Sequence, residues 1–202
     1  MWNWPIKHMA TNSGHRQILV WGGTSQAKLI ISMVEEQSLG DVRMVFDPCI
    51  HEPTFKVRAL FAREYDQLVH QLPNITNFVV CIGGARGESR CEIGQSLEER
   101  SIEPLAVISE RCYVDSTVVA GKGLQAMPGA VLNKYASLGN FCIVNSNATV
   151  EHDCFLGDGV HVMSGATLTG GVVVEDYVSI GANATVLPSV RIGKGALIGA
   201  GA

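Results

Sequence analysis

Residues 149–178 read TVEHDC, FLGDGV, HVMSGA, TLTGGV and VVEDYV, five blocks of six with no residue inserted between them. The same division runs from Val107 to Ala202, giving sixteen hexads. Place two is always Ile, Val, Leu or Ala, and place six is always Ala, Val, Cys or Leu. Repeats on this scale are the signature of a solenoid. Place six and the next two places form a short strand whose side chains point in, out and in. Places three to five hold most of the Gly, Asn, Asp and Ser, the residues that turn corners. Three such sides close a triangular coil of 18 residues. Coils stacked about 4.8 Å apart make a parallel β-helix of about five turns.

Composition agrees. Of 202 residues, 47% are apolar, enough for a buried core, and 22 are Gly. Charged residues are 17%, below the usual share of about 25%. A net charge of −4 argues against a nucleic-acid partner held by phosphate neutralisation. No apolar run approaches the roughly 20 residues of a membrane span, and no signal-peptide core opens the chain, so the expected location is the cytoplasm. The six cysteines (49, 81, 91, 112, 142 and 154) form no CxxC pair. They read as small buried hydrophobes in a reducing compartment.

Residues 1–16 show no periodicity and read as an extension or an expression-derived segment. From residue 17 to 106, strand and helix patterns alternate, implying a small parallel sheet. QILVW (17–21), VRMVFD (42–47) and NFVVCIGG (77–84) read as strands. AKLIISMVEEQ (27–37), a stretch near 62–71 and RGESRCEIGQSLEER (86–100) read as helices, the first burying Leu29, Ile30, Met33 and Val34. LAVIS (105–109) leads into the first coil. Gly22-Gly23-Thr24-Ser25 joins a strand to a helix, where backbone amides and a helix N-terminus can hold phosphate. Asp47 ends the second strand, placed to accept hydrogen bonds from a ribose or base. Gly83, Gly84 and Arg86 form a second lip of the same crevice, with Arg86 able to meet a phosphate.

The hexads resemble those of the hexapeptide-repeat acyltransferases. A short Rossmann-like domain (17–106) running into such repeats (107–202) is similar to the sialic-acid O-acetyltransferase and nucleotide-aminosugar N-acetyltransferase family, of the bacillosamine and perosamine type. The most specific segment is Asn145-Ser-Asn-Ala-Thr-Val-Glu-His152-Asp153-Cys154, followed by Gly157-Asp158-Gly-Val-His161. The resemblance implies a left-handed coil, acetyl-CoA as co-substrate without a metal, and His152 as the catalytic base. It further implies a homotrimer with sites between protomers and a C-terminal cap that contacts coenzyme A. The chain's last six residues are a complete hexad, LIGAGA, so that cap is expected to be missing.

Register places the same residues independently. His152 is at place four and Asp153 at place five of one corner. Gly170 follows His152 by 18 residues, one coil on. Acetyl transfer from a thioester needs a base for the acceptor and a donor for the oxyanion. Neutral imidazole suits the first task, a neighbouring carboxylate fixes its tautomer, and a glycine amide, free of side chain, suits the second. Asn145 and His161, both expected to point outward, would shape the acceptor site, with His161 also near acetyl-CoA. Cys154 at place six should point inward. The leading expectation is therefore an acetyl-CoA-dependent N-acetyltransferase acting on a nucleotide-linked aminosugar in bacterial surface-glycan synthesis. O-acetylation of sialic acid or a related sugar is the nearest alternative, and a non-catalytic sugar-nucleotide scaffold is the alternative of another class. A zinc hydrolase on this fold would need three His ligands; only His152 and His161 lie in the repeats.

Overall fold

The computed structural model describes residues 16–202. The segment read as an extension, Arg16 apart, lies outside them. The first half alternates β1 (Gln17–Trp21), α1 (Ser25–Glu36), β2 (Asp41–Phe46), β3 (Leu60–Ala62), α2 (Tyr65–Gln71), β4 (Asn77–Val80), α3 (Gly87–Glu98) and β5 (Glu103–Pro104). The strands form one parallel sheet in the order β3-β2-β1-β4-β5. β3 and β5 escape the sequence reading because three and two residues are too few to show an alternation.

α1 covers one face of the sheet, packing Ala27, Ile30, Ile31, Met33 and Val34 against Ile18, Val20 and Val45. Leu29 departs from expectation. It lies off this stripe and is exposed. Leu68 of α2 and Leu97 of α3 pack on the other face with Leu19, Met44, Phe46 and Phe78. The chain thus winds in opposite senses on either side of the β1–β4 boundary. The turns after those two strands, 22–24 and 81–86, meet at the carboxyl edge of the sheet, where open parallel sheets bind ligands.

The second half is a three-sided prism. Sixteen two-residue strands, from Val107–Ile108 to Leu197–Ile198, fall at places one and two of the hexads. They stack in parallel into three sheets of six, five and five strands, each strand pairing with those 18 residues away. Face one holds the strands that begin at 107, 125, 143, 161, 179 and 197; face two those at 113, 131, 149, 167 and 185; face three those at 119, 137, 155, 173 and 191. Parallel sheets on this hexad spacing fit the left-handed β-helix. Residues of places two and six fill the interior, among them Leu132, Val150, Cys154, Val162 and Leu168. Place five takes a left-handed backbone at every corner from Gly123 to Gly201, with φ between +55° and +76°.

Buried polar groups fasten the sheet domain to face one. Gln26 in the first turn of α1 donates to Gln125 Oε1 at 2.9 Å, and Gln125 donates to the Val80 carbonyl at 2.8 Å. Gln37, just past α1, donates to the Ile108 carbonyl and accepts from the Glu110 amide. Arg90 of α3 is fully buried. Its Nε, Nη1 and Nη2 donate to the carbonyls of Phe141, Ile82 and Gly159, each at 2.7 Å. Burial pulls its pKa down. Among the described residues no helix is long and apolar enough to cross a membrane.

Candidate active site

Sequence placed four polar positions on neighbouring coils; the fold sorts them around the axis. His152, Asp153 and Gly170 share the corner between faces two and three. Asn145 lies at the corner between faces one and two, and His161 on face one. In a triangular section, face one is the side opposite the corner of His152. Within one chain these residues do not converge.

At the first corner, His152 Nδ1 lies 2.8 Å from Asp153 Oδ2, with the two side chains 59% and 61% exposed. A carboxylate only accepts, so Nδ1 is the donor, and in the neutral form of the ring the lone pair is on Nε2. Asp153 sits at place five with φ +59°, and its amide donates to the Lys134 carbonyl of the preceding coil. Asp is among the few side chains that tolerate this backbone. Glu151 steadies the turn: its carboxylate accepts from Asn133 Nδ2 and, at 3.4 Å, from the His152 amide.

Gly170 lies directly beside the imidazole. A Cβ built on it would stand 2.6 Å from both Cε1 and Nε2 of His152. No other residue type fits there without moving the ring. The Gly171 amide donates to the His152 carbonyl at 2.9 Å, locking the two coils together. The Gly170 amide itself donates to no acceptor among the described residues. An imidazole Nε2 with no partner among the described residues and a free backbone N–H therefore share an open corner. Cys154, next along the chain, is buried and points inward, and burial raises its thiol pKa.

His161 does face outward from the prism, but the turn after β4 covers it and leaves it 4% exposed. Its Nδ1 lies 3.2 Å from the Gly84 carbonyl and its Nε2 3.5 Å from Asn145 Nδ2. These partners define a neutral ring that donates through Nδ1. Burial, aided by the nearby Arg90, pushes its pKa down to about 4. Ser179, one coil on, donates to the same Gly84 carbonyl.

The sheet-domain residues gather at the crevice beside face one. Asp47 accepts the Gly23 amide at 2.8 Å and the Cys49 amide at 2.9 Å, bracing the Gly-rich turn. Gly22 has φ +112°, and a Cβ there would stand 2.7 Å from the Cys81 carbonyl oxygen, so this turn demands glycine. Thr24, Ser25, Gly84 and Arg86 are exposed; Gly83 is half-buried. Thr24 caps α1 without a side-chain hydrogen bond, and no acidic residue occupies the first turn of that helix. Arg86 precedes α3 and pairs with nothing among the described residues. No group of three or more His, Cys, Asp or Glu among the described residues is arranged to hold a metal ion.

Sequence reading missed Arg90, Gln125, Gln26 and Gln37, which hold the halves together. No motif marks them. The separation of His152 from His161 was available, since positions share a side only when they are multiples of 18 apart.

The repeat and the prism are similar to those of hexapeptide-repeat acyltransferases, and the comparisons support an acyltransferase. The family profile for the bacterial transferase hexapeptide (six repeats) matches residues 153–187 and 171–202. Among solved structures, the chain is similar to PerB from Caulobacter crescentus in complex with CoA and GDP-perosamine. The two are 25% identical over 92% of this chain and 86% of that one, with a TM-score of 0.80. The acetyltransferase domain of PglB from Neisseria gonorrhoeae, in complex with acetyl coenzyme A, is 23% identical over 93% and 90% of the chains, with a TM-score of 0.81. WeeI from Acinetobacter baumannii is 23% identical over 92% and 90%, with a TM-score of 0.77. No curated protein matches the chain.

Proposed function

We propose that this protein is an acetyl-CoA-dependent N-acetyltransferase of nucleotide-linked aminosugars, acting in the cytoplasm on precursors of bacterial surface glycans. The observation that carries the reading is the His152–Asp153 pair at 2.8 Å with its free Nε2 against Gly170. PerB, with CoA and GDP-perosamine bound, supports the choice of both substrates. In this reading His152 Nε2 takes the proton from the acceptor amine as nitrogen attacks the thioester carbonyl. Asp153 holds the ring and stabilises the imidazolium. The Gly170 N–H receives the thioester oxygen, whose charge grows in the tetrahedral intermediate. Collapse expels the coenzyme A thiolate, which takes up the proton, and no acyl-enzyme forms.

The Rossmann-like half (17–106) would hold the nucleotide at its carboxyl edge, through the amides of Gly22–Ser25 and the lip of Gly83, Gly84 and Arg86, with Asp47 bracing the turn or meeting the ribose. Asn145 and His161 belong to that side. The crevice and the His152 corner lie on opposite sides of one prism, so a complete site needs the crevice side of one copy against the corner of another. A cyclic trimer supplies that geometry in a closed form.

The test is His152→Ala assayed against UDP-, GDP- and dTDP-aminosugars. Turnover is expected to fall by about 10²–10⁴-fold, the usual worth of a general base; near-normal turnover removes the base assignment. Mass spectrometry of the products separates amine from hydroxyl acetylation.

A further inference from the structure

Three aromatic residues occupy place five, where the backbone is left-handed: Phe141 (φ +55°), Tyr135 (φ +60°) and Tyr177 (φ +62°). A bulky side chain in this conformation is an outlier, whereas glycine takes it freely. Packing explains two of the three. Phe141 is buried under α3, stacked on Phe78 with ring centres 6.2 Å apart. Tyr177 is half-buried against the start of α3, with the Lys194 ammonium 4.9 Å above its ring. Tyr135 is 64% exposed. Neither its ring nor its hydroxyl has a partner among the described residues, and only its amide is engaged, donating to Thr117 Oγ1.

Its place is the corner of His152. Tyr135 precedes Asp153 by one coil in the same column, and the two coils are joined by the Asp153 amide on the Lys134 carbonyl. The corner is asymmetric along the axis. Towards the C-terminus stand Gly170 and Gly171, two residues without side chains, and then the exposed Leu187. Towards the N-terminus stand Lys134, exposed in the column of His152, and the aromatic ring of Tyr135 in the column of Asp153. If the Gly170 amide receives the thioester, the donor's arm lies over the glycines, and the acceptor must reach His152 Nε2 from the other side.

We infer that Tyr135 is a specificity-determining residue, the platform on which the acceptor's pyranose ring rests while its amine meets His152. A sugar ring offers an apolar C–H face to an aromatic ring, and a tyrosine hydroxyl serves the polar rim. This rests on the acyl-transfer reading above. An aromatic kept in a backbone that glycine would occupy more easily is otherwise unexplained at this corner.

Tyr135→Gly removes the ring and relieves the backbone, so the fold should be no less stable. The expected result is an acceptor KM raised about two- to tenfold, the worth of one aromatic contact. The acetyl-CoA KM, the melting temperature and the assembly mass should be unchanged, and Tyr135→Phe should keep most of the acceptor affinity. An unchanged acceptor KM in an active enzyme overturns the platform alone. A lower melting temperature or a smaller assembly also overturns it, because Tyr135 would then be a packing residue. A wild-type enzyme that acetylates no aminosugar of the panel sinks the acyl-transfer reading and the platform with it.

Discussion

His152 and His161 stand nine residues apart in the run of hexads, yet the prism gives them opposite lives. His152 sits on a corner, more than half exposed, with a carboxylate on Nδ1 and a free nitrogen turned to Gly170. His161 sits on a face, sealed beneath the turn after β4, neutral, with its pKa down near 4. A solenoid face is flat and its place-one side chains form rows, which a second element can cover. A corner turns sharply and keeps its backbone and side chains open to solvent. Register therefore sets the two histidines on opposite sides of the prism, and docking of the sheet domain covers one of them.

The comparison can be broken most sharply by asking whether corner and crevice work in one copy or across two. His152→Ala and a variant with a damaged crevice, Gly22→Val, would be co-expressed under different tags. If each site draws on two copies of a trimer, random hybrids regain roughly a quarter of wild-type activity, since one pairing in four unites intact halves. No recovery would mean that corner and crevice do not act across copies.

The next largest effect belongs to the docking side. Arg90→Leu leaves the carbonyls of Phe141, Ile82 and Gly159 without their donor. Denaturant unfolding should show a loss of about 3–5 kcal/mol, because three charge-assisted bonds go and buried acceptors are orphaned. A loss below about 1 kcal/mol would show that the halves hold together without this contact.

His161 predicts a pH dependence. Its folded pKa near 4 lies below the ordinary 6.5, so between those values the unfolded chain binds more protons than the folded one. Stability should rise with pH across that window. The contribution is fully present above 6.5 and is lost as pH falls towards 4, up to about 3 kcal/mol. His161→Gln should flatten this slope in melts at pH 7 and 4.5, and an unchanged slope would assign it to other groups.

The smallest change should be Gly170→Ala. The added Cβ must displace the His152 ring, and a displacement near 1 Å costs about 10²-fold in kcat. Stability should stay within about 0.5 kcal/mol, as for surface substitutions elsewhere. Unimpaired kcat would release the imidazole from its assigned place.

The repeats carry their structure openly. Sixteen hexads with aliphatic places two and six leave one way to bury those side chains, and the corner of His152, Asp153 and Gly170 follows from counting in sixes and eighteens. The first half is less legible. Gly22-Gly23 after a buried strand marks the turn, but β3 and β5 are too short to show a period, and Leu29 looks like a core residue until the helix faces the sheet. Arg90 reads as an ordinary helix charge, because its three acceptors lie 51, 8 and 69 residues away in the chain.

By itself, the sequence determined the prism, its register and the pairing of an imidazole with a carboxylate, since each depends on residues within one or two coils. Only the tertiary structure decided that His161 is buried and neutral and that Arg90 fastens the halves. Those outcomes depend on a sheet domain docking against one of three similar faces. Long-range burial of this kind leaves no local period to read.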